Sequence, residues 1–275
     1  MDKASSSFLA RHEFLIRRLH SLSGLIPVGA FTVVHLLANA STLGGGMSYQ
    51  NTVYQIHSLG AILPVVEWVF IFIPILFHAI LGVVIIRGGL PNSGAYPLQK
   101  NVRYTLQRAT GMIAFVFIVW HVFHMHGWFH FDAWVNNVAK PLMGSQFRAF
   151  NAASTGGAAM QASILIPILY AVGVLSIVYH LANGIWTMGI TWGVWTTPAA
   201  QRRADRLCMG FGLLLAAVGL GAIVGFERID VNQALREQEK EAYEMRVEAG
   251  LVEPDEEKRA VPHEPAESET ARLEK

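Results

Sequence analysis

The sequence predicts an all-α membrane protein: a bundle of five transmembrane helices with its amino terminus in the cytoplasm and a charged carboxyl-terminal tail. Three observations predict it. Hydrophobic residues make up 52% of the 275 and charged residues 15%, against the ~25% charge of an ordinary soluble domain. Five stretches reach the ~20 mostly apolar residues that a hydrocarbon core of ~30 Å demands. The acids are also segregated. Apart from Asp2, Glu13, Glu67, Asp132 and Asp205, all lie from Glu227 onward.

In chain order, residues 1–21 form a polar amino-terminal segment without the short apolar core and small-residue cleavage site of a secretory signal. The spans fall at 22–43, 65–86, 109–129, 163–187 and 207–226, within a transmembrane domain of residues 22–228. Pro27, Pro74 and Pro167 lie inside three of them, which a bundle tolerates because neighbouring helices satisfy the freed carbonyls. The long third loop, rich in Gly, Ala, Asn and Ser, is expected to be irregular or only briefly helical. Residues 229–275 form an acidic tail, with a solvated helix expected over 233–249 and disorder beyond Gly250.

Short loops orient membrane proteins through their Lys and Arg. Lys3, Arg11, Arg17 and Arg18 precede the first span, and the first loop has no basic residue. Arg87, Lys100, Arg103 and Arg108 belong to the second loop, Lys140 and Arg148 to the third, and Arg202, Arg203 and Arg206 to the fourth. This alternation places the amino terminus and loops two and four in the cytoplasm. No basic surface suited to nucleic acid is present. The single cysteine, Cys208, excludes a thiolate-held cluster in this chain alone and reads as packing.

Ionisable side chains within a bilayer point to function by default. His35, His78, His121 and His180 each lie in a different span. With a rise of ~1.5 Å per residue, His35 and His121 sit ~18–20 Å from the cytoplasmic edge, and His78 and His180 ~11–12 Å. The four therefore sort into two levels of two. Two imidazoles at one depth can ligate a haem iron from both sides and leave no open position for oxygen, which favours electron transfer. Two separated levels suit a single zinc or copper ion poorly. A proton pathway without haem is a rival reading, although the spans hold only Glu67 as a carboxylate. Gly24, Gly29, Gly82, Gly111, Gly173 and Gly184 offer room for a flat macrocycle or for ordinary close helix packing.

Five segments carry a family likeness: Arg17-Arg18-Leu19-His20-Ser21-Leu22-Ser23-Gly24, Phe77-His78-Ala79, Leu106-Gln107-Arg108-Ala109-Thr110-Gly111, Trp120-His121-Val122, and Tyr179-His180-Leu181-Ala182-Asn183-Gly184-Ile185-Trp186. In this order and spacing, over residues 14–226, they resemble the single-chain, di-haem cytochrome b subunit of succinate dehydrogenases and related fumarate reductases. The resemblance implies two haem b groups: an inner, proximal one on His78 and His180, and an outer, distal one on His35 and His121. It also implies a flavoprotein subunit and an iron–sulfur subunit on the cytoplasmic face of a bacterial-type inner membrane. Succinate chemistry would reside in the flavoprotein, quinone would be the acceptor, usually menaquinone, and the complex could form a higher oligomer. Alternatives are fumarate reduction in the reverse direction and the haem b subunit of another membrane dehydrogenase.

Around this frame, Arg17, His20, Ser21 and Arg108 lie at the cytoplasmic edge, where donors could meet haem propionates. Glu67 and His124 lie toward the distal pair, where quinone reduction consumes protons and a donor would have a role. Trp68, Trp128, Trp134, Trp186, Trp192 and Trp195 sit near span ends, as an aromatic belt does.

Overall fold

The computed structural model describes residues 11–87, 99–125 and 147–260, with the isolated positions Ala133 and Asn137. The expectations for Lys140, Trp128, Trp134 and the last fifteen residues lie outside the described residues. Every regular element among the described residues is helical, and five helical stretches are long and apolar enough to cross a membrane.

Span one is two helices, α1 (Glu13–Leu25) and α2 (Pro27–Ala40), which meet at Ile26. Pro27 has no N–H to give to the turn before it, so the ladder breaks there. Helix α3 (Gly46–His57) fills the first loop. Span two joins α4 (Leu63–Glu67), a π turn at Trp68–Phe72 and α5 (Ile73–Arg87). The wider turn lies immediately before Pro74, where a ladder bond is missing in any case. Span three is α6 (Gln99–Met125), the short helix α7 (Ala152–Gln161) follows, and span four is α8 (Leu165–Thr191). Span five is α9 (Pro198–Glu227), capped where the Thr197 hydroxyl accepts from the Ala200 N–H at 3.2 Å. Both α6 and α9 begin about nine or ten residues before their apolar stretches. Hydropathy sees only the buried part of a helix, and these two continue past it through the basic residues.

Neighbouring spans pack in sequence, one on two, two on three, three on four and four on five, and α9 closes back on α2. Spans one and three face each other across this ring, as do spans two and four. All five cross in alternating directions. One end of the bundle, the basic end, therefore carries Arg17, Arg18, Arg103, Arg108, Arg202, Arg203 and Arg206.

The opposite end carries a cap made of α3, α7 and α10 (Gln233–Glu248), packed on one another and on the end of α9. Tyr49, Tyr54, Phe150, Met160, Phe226 and Tyr243 form its core. Two polar side chains are fully buried in it. Gln50 donates to the Ala149 carbonyl and accepts from the Ala152 N–H, while Glu239 accepts from the Ser154 N–H and hydroxyl at the start of α7. A carboxylate there offsets the unpaired N–H groups and positive dipole end of a helix.

The tail departs from expectation in two respects. Helix α10, capped by Asn232, is not solvated all round: it buries Leu235, Glu239, Ala242 and Tyr243 on one face. Residues 251–260, expected to be disordered, are also tied to the cap. The Asp255 N–H donates to the Tyr243 hydroxyl, and the Ala260 N–H to the Asn151 side chain. These contacts hold the segment down, and composition alone does not reveal them. The third loop, expected to be irregular or briefly helical, contains the buried helix α7.

Candidate functional site

The four intramembrane histidines meet across the ring of spans. His78 of α5 and His180 of α8 have ring centroids 6.1 Å apart with planes at 86°. His35 of α2 and His121 of α6 have centroids 5.9 Å apart with planes at 74°. Each pair links spans that face each other rather than spans that touch.

Adjacent helices make room for the rings at the basic-end pair. Gly24 of α1 lies against His78, where an added Cβ would come 2.3 Å from the imidazole, and Gly111 of α6 lies against His180, where it would come 2.8 Å away. Glycine is required at both positions for the histidine to lie flat on its neighbour. His78 Nδ1 is 2.9 Å from the His20 carbonyl, and His180 Nδ1 is 3.0 Å from the Gln107 carbonyl. A carbonyl only accepts, so Nδ1 carries the proton in both rings and the lone pair is left on Nε2, where it could meet a metal.

The second pair is held differently. The Tyr170 hydroxyl stands 3.1 Å from His121 Nδ1 and 2.8 Å from His124 Nδ1. The ring of His124 stacks on Trp120 at 4.8 Å, and this histidine is 2% exposed.

The donor set fits haem. An imidazole nitrogen bonds a first-row metal at ~2.0–2.1 Å; two such bonds, with half a ring on each side, give centroids roughly 6 Å apart, as both pairs show. Among the described residues no group of three or more His, Cys, Asp or Glu could hold a metal ion. Each pair offers two imidazoles, a donor set that would suit a haem iron. Beside His78, the Nδ1 of His20 is buried without a hydrogen-bond partner.

The other predicted residues separate by end. Arg17, His20, Ser21 and Arg108 all lie at the basic end, with His78 and His180. The ring of His20 stacks on His78 at 4.0 Å, nearly parallel, instead of sitting at the edge. Ser21 donates to the Arg18 carbonyl and accepts from Trp192 Nε1 at 3.1 Å. Arg17 pairs with Glu13 at 2.7 Å, and Arg108 donates to the Ile86 carbonyl and the Tyr104 hydroxyl. Glu67 ends α4 near the cap, half-buried and within the field of Lys258.

Sequence reasoning missed Tyr170, a tyrosine near the start of an otherwise apolar span, where it reads as an interfacial aromatic. It also missed Arg103 and Asp205, which look like loop charges but are ion-paired at 2.5 Å.

The chain is 33% identical to the succinate dehydrogenase cytochrome b558 subunit of Bacillus subtilis (strain 168) over 220 residues, covering 78% of this chain and 97% of that protein. It belongs to the succinate dehydrogenase cytochrome b family. No family model matches the chain. With five membrane-spanning helices, this member of the family is a multi-pass membrane subunit of an enzyme complex. The match leaves about a fifth of the chain uncovered.

Proposed function

We propose that this chain anchors a succinate:quinone oxidoreductase and carries electrons through two bis-histidine haem b groups to a quinone. His78 and His180 would hold the iron of a proximal haem, and His35 and His121 that of a distal one. The observation that carries this reading is the pair of near-equal histidine spacings, 6.1 and 5.9 Å, on two crossing helix diagonals.

Bound at these pairs, haem b supplies one-electron transfer at two depths. The protein's own part is to hold and shield. The carbonyls of His20 and Gln107 fix the protons of His78 and His180 on Nδ1, directing Nε2 to the metal. Gly24 and Gly111 let the rings approach the helix backbones. Packing of spans three, four and five around His180 and Tyr170 keeps water away and lowers the local dielectric, which sets redox balance.

Donors at the basic end, Arg17, His20, Ser21 and Arg108, are placed for the anionic propionates of the proximal haem, and the orphan nitrogen of His20 favours it among them. The same end, following the distribution of Lys and Arg, faces the cytoplasm of a bacterial-type cell and docks an iron–sulfur subunit backed by a flavoprotein. At the far end, the Glu67 carboxyl and the His124 imidazole are candidates to pass protons to a reduced quinone, with menaquinone the acceptor that the family likeness favours.

Succinate added to membranes bearing the assembled complex should reduce low-spin cytochrome b, and the chain should co-purify with a flavin-containing and an iron–sulfur subunit. A cytochrome b reduced only by hydrogen or formate would assign the chain to another dehydrogenase. Absence of any low-spin haem b band would remove the reading altogether.

A further inference from the structure

At the basic end of the bundle, beside His180, a chain of polar side chains runs from the half-exposed Asp205 inward. Gln107 of span three holds His180 twice: its carbonyl accepts from the ring, and its side-chain Nε2 donates to the His180 carbonyl at 3.0 Å. The Oε1 of the same amide accepts from Asn183 Nδ2 at 2.7 Å, and Asn183 Oδ1 accepts from Arg103 Nε at 2.9 Å. Arg103 then pairs with Asp205 of span five at 2.5 Å, its guanidinium lying 3.9 Å over the ring of Trp186. Asn183 is 4% exposed. Three helices are thereby tied together through four side chains, each bonded to the next, and the last link holds the backbone of a histidine. His121 is reached instead through the Tyr170 hydroxyl and His124.

Buried polar groups are costly unless bonded, and a connected network tends to specify one arrangement. Helix packing alone would be served by apolar residues at Gln107 and Asn183. We propose that Gln107, Asn183, Arg103 and Asp205 are positioning residues for His180, fixing its ring and so the redox balance of the centre it serves, independently of the His35/His121 centre. This rests on the two-haem reading above. The partners that orient a metal-bound histidine are as much a part of such a site as the ligand itself.

The test is a redox titration of haem b absorbance in the purified complex, with the low-spin ferric paramagnetic resonance signals recorded alongside. The largest g value of such a signal follows the angle between the two imidazole planes. Asn183→Leu and Gln107→Leu each cut the chain without changing any formal charge, so a shift reports positioning rather than an altered field. Each is expected to change the oxidised-to-reduced ratio of one haem about tenfold at fixed potential, ~59 mV for one electron. The resonance of that same haem should move and the other should stay. The double variant should shift no further than the larger single one, because both cut one chain. If Asn183→Leu prevents assembly, Gln107→Leu reads the same chain from the other helix. Unmoved midpoints, or equal movement of both haems, overturn the proposal. A wild-type complex with fewer than two haem b components instead fails the reading on which it rests.

Discussion

His78 and His180 stand with ring centroids 6.1 Å apart and planes at 86°, and neither belongs to a helix packed directly on the other's. The gap between their helices is kept open by neighbours: glycines at 24 and 111 let the imidazoles lie against spans one and three. His35 and His121 repeat the relationship on the other diagonal. On the proposed reading, the two pairs would hold two flat, buried groups in series.

Replacement of single ligands should remove haems selectively. His78→Leu or His180→Leu is expected to abolish one haem b and keep the other, and His35→Leu or His121→Leu the converse. Haem content per chain, with the split of the reduced-minus-oxidised band, reads the outcome. A variant that retains both haems breaks the pairing.

Gly24→Ala is expected to cost the His78/His180 centre its haem or its normal spectrum, since the new Cβ would meet the imidazole at 2.3 Å. Gly210→Ala is the control: a Cβ there meets nothing within 4 Å, and Ala is favoured over Gly in a helix by about 1 kcal/mol. The comparison is made on haem content in purified complexes. Equal spectra for the two variants would show that the Gly24 contact is immaterial.

Tyr170→Phe removes one hydroxyl from between His121 and His124 while nearly conserving volume, so folding should survive. The midpoint potential of the His35/His121 haem is expected to move and that of its companion to stay. Redox titration checks this.

Much of the membrane fold was legible because lipid imposes one rule on every span: length and apolarity. The histidine pairs were legible for the same reason, since alternating spans turn residue number into depth. The cap was not. Its helix α7 reads Ala-Ala-Ser-Thr-Gly-Gly-Ala-Ala-Met-Gln, a poor helix former, and forms because it is covered by Phe226 and Ile229 and held by Gln50 and Glu239. The buried face of α10 was present as Leu235, Glu239, Ala242 and Tyr243 at helical spacing, but the density of charge around it reads as a solvated helix. Tyr170 and the Arg103–Asp205 pair are invisible to spacing because their partners come from other spans.

The cap should loosen in acid. His57 of α3 is pushed down to about 4 by burial, assisted by the charge of Lys258 and opposed by Asp255. The unfolded residue titrates near ~6.5, so between these values the unfolded chain binds the proton that the folded one refuses. Stability from neutral His57 is therefore complete above ~6.5 and is lost as pH falls toward 4. Protection factors against hydrogen exchange in α3, corrected for the intrinsic rate at each pH, should fall from pH 7.5 to pH 5, and His57→Gln should flatten that dependence. Identical profiles for the two proteins would remove His57 as the cause.

The most direct measurement is the amount of haem b bound per chain in the purified complex, taken with the low-spin spectrum of its reduced form. Two low-spin haems per chain are predicted, both lost when one histidine of each pair is replaced. A single haem, or a high-spin centre open to added ligands, would contradict the account.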